Sequence, residues 1–159
     1  MRLTKAGEYA VRCILYLSSR NSGQIISRKE ISREMDIPGP FLTKIAQQLS
    51  KAGILEIVQG AKGGYRLLPS PETLSLLEVI EVIEGELFLN DCLLRPETCL
   101  RSPGCAVHRV WEKARDQLRQ TLREATMDKL LEEENCVREL NGRNSGNGTA
   151  VSYILHEKD

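Results

Sequence analysis

The stretch SRKEISREMDIPGPFLTKIAQQLSKAGILEIVQGAKGGYRLL, residues 27–68, contains two helix signals followed by a hairpin signal. Ser27 and Glu30 have the spacing of a capping box, in which each side chain satisfies a backbone amide at the start of a helix. The pattern predicts a short first helix within residues 27–38. Ile31 and Met35 form its expected apolar face. Asp36 to Pro38 form the break that follows it.

The second helix signal lies within residues 39–55. Pro40 suits the first turn of a helix, because its missing N–H would have no partner there anyway. Gly53 is a typical residue at which such a helix ends. Apolar residues recur at helical spacing, which predicts one buried and one polar face. The inward face is expected to hold Leu42, Ile45, Ala46 and Leu49, and the outward face Thr43, Lys44, Gln47, Gln48 and Lys51.

A glycine-rich tip then separates two segments in which apolar and polar residues alternate. This pattern predicts a β-hairpin with strands from Ile54 to Gln59 and from Tyr65 to Leu68. Two helices and a hairpin in this order are typical of a winged helix-turn-helix, whose second helix enters the major groove of DNA. The expected fold is therefore mainly α with a small β-hairpin wing, and residues 1–70 form the DNA-binding domain.

The side chains expected to meet DNA lie on both helices and on the wing. Thr and Gln can hydrogen-bond to base edges, whereas Lys and Arg can meet phosphates. The start of the first helix favours a phosphate, and a basic wing with glycines can approach the minor groove. A helix-turn-helix is also used for protein contacts, so a solvated polar face is the alternative. The candidates are Arg28, Lys29, Thr43, Lys44, Gln47, Lys51, Lys62 and Arg66.

The distribution of charge supports the nucleic-acid interpretation. The chain has 159 residues and zero net charge, but residues 1–68 carry 11 Lys and Arg against 5 Asp and Glu. Residues 69–159 carry 11 against 17. A basic first half joined to an acidic second half indicates that the first half meets a polyanion.

Helical spacing also occurs outside the central stretch. Residues 4–20 predict a first helix with Thr4 as N-cap, and residues 73–84 predict a short helix. Residues 106–134 predict one long helix, on the order of 40 Å. A helix that long with one apolar stripe needs a partner, most simply its copy in a homodimer. The stripe consists of Val107, Trp111, Ala114, Leu118, Leu122 and Ala125.

Several function classes are disfavoured by what the sequence lacks. No apolar run approaches the roughly 20 residues of a membrane span, and the N-terminus lacks the plan of a signal peptide. We therefore expect a cytoplasmic protein without membrane contact. No glycine motif for a dinucleotide or a nucleotide phosphate is present, so we expect no enzyme. Residues 141–159 have a linker composition and are expected to form a flexible tail.

The stretch CLLRPETCLRSPGCAVH, residues 92–108, holds three of the five cysteines and one of the two histidines. Clustered cysteines in a reducing compartment are more often metal ligands or redox groups than disulfides. The pattern lacks the C-x-x-C pairs usual in structural zinc sites, although a Cys₃His zinc site remains chemically possible. Wide spacing suits the larger body of an iron–sulfur cluster. Cys13, Cys136 and His156 are interpreted as a core thiol, a residue without a role and a solvated side chain.

The segments MRLTKAGEYAVR (1–12), GAKGGYRL (60–67) and CAVHRVW (105–111), together with the spaced cysteines, resemble the IscR/NsrR-type family of winged-helix iron–sulfur transcription regulators. The resemblance covers roughly residues 1–135. It implies a homodimer that binds double-stranded promoter DNA and senses the state of its cluster. The expected function is that of a regulator, mainly a repressor, of iron–sulfur cluster assembly genes.

The resemblance also implies a ligand set. In the branch of the family that controls cluster assembly, three cysteines and a histidine hold a [2Fe–2S] cluster, which implies Cys92, Cys99, Cys105 and His108. In the nitric-oxide-sensing branch the cluster is [4Fe–4S] and an acidic residue of the partner subunit completes it, which implies Glu8 as the alternative fourth ligand. Residues 71–140 are then a cluster-binding loop and a dimerisation helix.

Overall fold

The computed structural model describes residues 3–133, which fold into helices around one small two-stranded sheet. Two short 3-10 turns, Pro96–Thr98 and Ser102–Gly104, lie between the fifth and sixth helices. The elements are α1 (Lys5–Ser18), α2 (Arg28–Glu34), α3 (Gly39–Lys51), β1 (Leu55–Val58), β2 (Gly64–Leu67), α4 (Leu76–Glu84), α5 (Asp91–Leu94), α6 (Ala106–Glu124) and α7 (Met127–Glu132).

The helix starts in the first half follow their capping residues. Thr4 accepts a hydrogen bond from the Gly7 amide at 3.3 Å and begins α1, as expected. Ser27 accepts from the Glu30 amide at 3.2 Å and begins α2. The capping box predicted there is only half formed, because the Glu30 carboxylate accepts from the Tyr16 hydroxyl at 2.9 Å. Glu30 thereby links α2 to α1.

The connection from α2 to α3 and the end of α3 follow the predicted signals. Asp36 adopts a left-handed backbone conformation with φ 52°, and Pro38 is the N-cap of α3. Gly53, with φ 74°, follows the C-cap and reverses the chain. The Ile54 amide donates to the Leu49 carbonyl at 3.0 Å and satisfies an otherwise free helix end.

The wing is an antiparallel hairpin in which Leu55 pairs with Leu67 and Val58 with Gly64. Ile26, just before α2, joins the hairpin through two backbone hydrogen bonds with Tyr65, at 2.8 and 2.9 Å. Gly64 permits this approach, because a Cβ there would collide with the Ile26 carbonyl oxygen. The expected mainly α fold with a β-hairpin wing is confirmed.

The core is a single cluster built on the inward face of α1. Side chains from α2, α3, the wing, α4 and α7 pack on it, and burying them from water is the main source of stability. Its fully buried members include Cys13, Ile14, Ile31, Leu42, Ile45, Leu49, Leu55, Val79 and Met127. A smaller cluster of Leu77, Ile80 and Leu87 lies beside it, and Leu122 of α6 packs there.

The prediction of one unbroken helix over residues 106–134 is wrong. The helix stops at Glu124, and Ala125 and Thr126 adopt non-helical backbone conformations. Their backbone groups pair with the start of α4: the Leu76 amide donates to the Ala125 carbonyl at 2.8 Å, and the Met127 amide to the Leu74 carbonyl at 2.9 Å. This turn places the Met127 side chain in the core, and its burial compensates for the interruption of the helix.

The short helix predicted over residues 73–84 begins later than expected. Ser75 is its N-cap and forms a complete capping box with Glu78, so that α4 starts at Leu76. The predicted tail, the predicted roles of Cys136 and His156, and the boundary at residue 140 lie outside the described residues. None of the helices within residues 3–133 is long and apolar enough to cross a membrane.

The break between α6 and α7 leads to a prediction about stability. Met127→Ala should lower the free energy of unfolding by about 2–5 kcal/mol, because it leaves a cavity at a position with no exposed surface. Glu132→Ala, on the exposed side of the same helix, should change it by no more than about 0.5 kcal/mol. Urea unfolding curves measure both, and equal stabilities would show that α7 does not belong to the core.

Candidate functional site

The outer face of α3 carries the exposed side chains Lys44, Gln47 and Lys51, because the apolar side chains between them face the core. A shallow cleft lies between this face and β1, lined by Lys44, Gln47, Gln48, Ser50, Lys51 and Ile57. Lys44 and Lys51 form no ion pair within residues 3–133, so their charges face solvent unopposed. This is the surface that a winged helix-turn-helix presents to the major groove.

A second groove runs between α3 and the wing. Arg28, Thr43 and Gln47 line one side of it, and the backbone from Val58 to Tyr65 lines the other. The structure therefore brings the start of α2, the middle of α3 and the wing together, as the sequence predicted. Lys29 and Lys62 are exposed at the two ends of this region.

Three of the candidate DNA contacts, Arg28, Thr43 and Arg66, are engaged within the protein. The Thr43 hydroxyl donates to the Gly39 carbonyl at 3.0 Å and accepts from the Arg28 guanidinium at 3.4 Å. Arg66 pairs with Glu56 across the hairpin. The pairing of Arg66 was not anticipated from the sequence, although opposite charges at cross-strand positions are a known signal. Lys62 is left as the unpaired cation of the wing.

The four residues of the cysteine loop occupy different local structures. Cys92 lies in α5, Cys99 follows the first 3-10 turn, Cys105 is the N-cap of α6, and His108 lies in the first turn of α6. The three thiols are half-buried, and no disulfide forms among the cysteines of residues 3–133.

His108 has an unsatisfied nitrogen. Its Nδ1 atom is buried and has no hydrogen-bond partner, while its Nε2 atom lies 3.7 Å from a Glu112 carboxylate oxygen. Buried polar atoms nearly always have a partner, so an imidazole nitrogen without one among residues 3–133 is available to bind a metal. Cys99 and His108 line the same pocket, together with Pro96, Glu97, Leu100, Pro103, Arg109 and Glu112.

The donor set fits a metal cluster in its chemistry, since three thiols and one imidazole suit soft or borderline metals. The described arrangement does not gather them: within residues 3–133 no three His, Cys, Asp or Glu side chains lie close enough to hold a metal ion. Of the four predicted ligands, the structure brings only Cys99 and His108 to one pocket. The loop has to close further before all four side chains meet.

The other candidates differ clearly from the loop residues. Cys13 is fully buried in the core, and this burial raises the pKa of its thiol to about 12. Glu8 lies in the first turn of α1, where its carboxylate accepts from the Lys5 ammonium at 2.6 Å. The interpretation of Cys13 as a core thiol agrees with the structure, and Glu8 has an ion-pair partner, Lys5, within its own helix.

Two exposed apolar surfaces were not fully anticipated. Phe41, in the first turn of α3, is 49% exposed, and its ring lies edge-on to Tyr9 with a centroid distance of 5.8 Å. On α6 the exposed apolar residues include Val107, Val110 and Trp111, and no residue of this helix is fully buried. Of the predicted stripe, Val107 and Trp111 are therefore exposed, whereas Leu122 packs against the smaller apolar cluster of the same chain.

Comparison with known proteins gives a consistent result. A family model named Rrf2, described as an iron-dependent transcriptional regulator, matches residues 3–133. The chain is 32% identical over 141 residues to the HTH-type transcriptional regulator NsrR of Shouchella clausii, covering 88% of this chain and 95% of the relative.

Solved structures share the fold. The global cysteine regulator CymR of B. subtilis superimposes with a TM-score of 0.73 at 21% identity, covering 85% of this chain and 99% of that one. IscR of T. potens superimposes with a TM-score of 0.67 at 23% identity, covering 93% of this chain and 94% of that one. Both likenesses establish the winged-helix fold.

The surroundings of the cysteines predict an order of chemical reactivity. In metal-free native protein at about pH 8, iodoacetamide should modify Cys92 and Cys105 well before Cys13. A thiol with a pKa of about 12 is a thiolate in roughly one molecule in 10⁴ at that pH, and Cys13 is also inaccessible. Peptide mass mapping over time measures each rate, and urea-unfolded protein is the control. Rapid modification of native Cys13 would contradict the buried position of α1.

Proposed function

The chain belongs to the Rrf2 family of transcriptional regulators, and we propose that it is a member that senses an iron–sulfur cluster and represses transcription. In this proposal it acts in the cytoplasm and binds promoter DNA as a homodimer. The observation that carries the proposal is the cysteine loop, whose last member, His108, keeps a buried nitrogen without a partner at the start of α6. Iron–sulfur cluster assembly genes are the proposed targets.

DNA binding in this proposal uses the outer face of α3 and the wing. Lys44, Lys51 and Lys62 are exposed cations that can neutralise phosphates, and Gln47 is exposed where a base edge would lie. Arg28 and Lys29 add charge at the start of α2. Thr43 contributes indirectly, because its hydrogen bond to the Gly39 carbonyl holds it beside the groove. Arg66 pairs with Glu56 and does not line the groove, so its contribution is to the charge of the wing.

Dimerisation in this proposal uses α6. This helix has no buried residue, and Val107, Val110 and Trp111 are all exposed on it. Its inner side rests on the Leu77, Ile80 and Leu87 cluster through Leu122. A second α6 would remove the remaining apolar surface from water, as helix pairs do in oligomers.

Cofactor binding would use the thiols of Cys92, Cys99 and Cys105 with the imidazole of His108. A bound [2Fe–2S] cluster would supply the signal, because oxidants, nitric oxide or lack of iron can remove the cluster. Cys105 is the N-cap of α6 and makes no side-chain cap hydrogen bond, so its thiol is available as a ligand. Gathering these side chains would order the loop that joins the winged domain to α6, and thereby bias how two winged domains sit in a dimer.

A second candidate is a nitric-oxide or redox sensor with a [4Fe–4S] cluster. The similarity to NsrR supports it, because that relative is 32% identical over nearly its whole length. In this candidate Glu8 of the partner subunit would replace His108 as ligand. Glu8 is bound by Lys5 in its own helix, whereas His108 has an unsatisfied nitrogen, so we favour His108. A zinc site without a sensing role is the remaining alternative.

The choice of fourth ligand can be tested in protein purified without oxygen. His108→Ala should lower the iron and sulfide content and change the visible absorption, because it removes one of the four proposed ligands. Glu8→Ala should leave both unchanged. Cys92→Ala should abolish cluster retention, while Cys13→Ala, which removes a core thiol, should retain it.

The opposite result for His108 and Glu8 would assign the protein to the [4Fe–4S] alternative. Colourless wild-type protein with stoichiometric zinc and no sulfide would remove the cluster proposal altogether.

The recognition face can be tested on a DNA site selected by the wild-type protein. Lys44→Ala and Lys62→Ala should each weaken binding and lower the slope of log affinity against log salt by about 1, since each removes one phosphate contact. Gln47→Ala should relax sequence preference at one position by about 1–3 kcal/mol. Lys113→Ala, an exposed cation on α6, is the charge-matched control. Normal binding by all three variants would mean that this face does not read DNA.

A further inference from the structure

Glu81 of α4 holds the two ends of the cysteine loop segment together. Its carboxylate accepts two hydrogen bonds from the Arg119 guanidinium of α6, one of them at 3.3 Å, and a third from the Leu87 amide at 3.0 Å. Leu87 lies five residues before Cys92, and Arg119 lies eleven residues after His108. One side chain therefore ties the entry to the loop and the helix that follows it.

This joint has little access to solvent. The Glu81 and Arg119 side chains are 23% and 21% exposed, and the apolar cluster of Leu77, Ile80, Leu87 and Leu122 lies around them. A two-bonded guanidinium–carboxylate pair has a fixed orientation as well as a favourable energy. Because the pair is partly desolvated, neutralising Glu81 leaves the Arg119 guanidinium, among the described residues, with only the more distant Glu86 carboxylate oxygen at 3.9 Å. The ion pair therefore fixes the direction of α6 relative to α4, whereas apolar contacts alone would allow the two helices to slide past each other.

The same C-terminal end of α4 is also fixed to the winged domain. The Glu84 carboxylate accepts from the Thr4 amide at 3.0 Å and from the Thr4 hydroxyl at 2.6 Å, at the start of α1. Gly7 makes room for this carboxylate, because a Cβ there would collide with it. Since α4 is bound to α1 through Glu84 and to α6 through Glu81, it is the rigid link between the two parts.

We propose that Glu81 is the positioning residue that fixes the angle between α6 and the winged domain, and thereby selects the spacing of the two half-sites in DNA. The inference rests on the proposed function, in which α6 joins two copies. In such a dimer the direction of α6 relative to α3 determines how far apart the two reading helices lie. Two half-sites match the dimer when they are about one helical turn, or a multiple of it, apart.

The physical basis for spacing selection is the helical geometry of DNA. Adding one base pair between half-sites moves one of them by about 3.4 Å and rotates it by about 35°. A dimer with a rigid joint cannot follow this change without losing contacts at one half-site. A dimer whose joint is loosened can turn one winged domain and keep both sets of contacts.

Three single variants separate the joint from its surroundings. Glu81→Gln keeps an acceptor for the Leu87 amide but removes the charge that binds Arg119. Arg119→Gln removes the guanidinium and leaves the bond between Glu81 and Leu87 intact. Arg115→Gln is the matched control, because Arg115 lies one turn earlier on the same helix and, among residues 3–133, pairs only with Asp116, its neighbour in sequence.

The experiment uses full-length protein and DNA enriched by the wild type from random duplexes. Affinity is measured for the enriched site, for versions with one base pair added or removed at the centre, and for a duplex with one half-site. We expect wild type and Arg115→Gln to discriminate by about fivefold or more between the best and altered spacings, as coupled contacts do. Glu81→Gln and Arg119→Gln should discriminate by less than about twofold, with half-site affinity unchanged.

Each result is decisive. The double variant Glu81→Gln/Arg119→Gln should be no less selective than either single variant, because both remove the same contact. Full spacing discrimination in both single variants would overturn the inference and leave the proposed function intact. Equal loss of half-site affinity would also overturn it, since the effect would then be on the winged domain itself. If the wild type enriches no DNA, the proposed function fails and the inference with it.

Discussion

The inward face of α1 is the surface on which the rest of the protein is assembled. Ala10, Cys13 and Ile14 have no exposed surface, and α3, α4, α7 and the wing pack against the same helix. Tyr16 extends this role to α2 through its hydrogen bond with Glu30. The outward direction of α3 follows from this packing, because burying Leu42, Ile45 and Leu49 leaves Lys44 and Gln47 facing away. The recognition face is therefore a consequence of how the core is built.

Local signals in the sequence were sufficient for the winged domain. Thr4, Ser27, Pro40 and Gly53 all mark helix ends where the structure has them, and the glycine-rich tip lies between the two strands. The family resemblance seen in the N-terminal, wing and CAVHRVW segments is confirmed by the match to the Rrf2 model over residues 3–133. The protein is accordingly a transcriptional regulator and not an enzyme.

Contacts between distant segments were not predictable in the same way. The residues after Glu124 keep helical periodicity, yet pairing of Ala125 and Met127 with the start of α4 outweighs helix propensity there. The sequence alone suggests a free cation at Arg66, but Glu56 lies opposite it on the neighbouring strand. Residue type and resemblance predict four loop ligands, whereas the structure brings only Cys99 and His108 to one pocket. Helical or strand periodicity does not encode the relative positions of side chains in an irregular loop.

The pairing of Ser75 with Thr126 has an evolutionary consequence. The chain between Ser75 and Thr126 begins and ends at one antiparallel bridge, so that its two ends lie side by side, while α4 within it packs on α1 as part of the core. A segment with adjacent ends can be lengthened, shortened or exchanged at small entropic cost to the domain that carries it. The part of this segment beyond α4 can thus change in length or composition while the core and the outer face of α3 keep their structure.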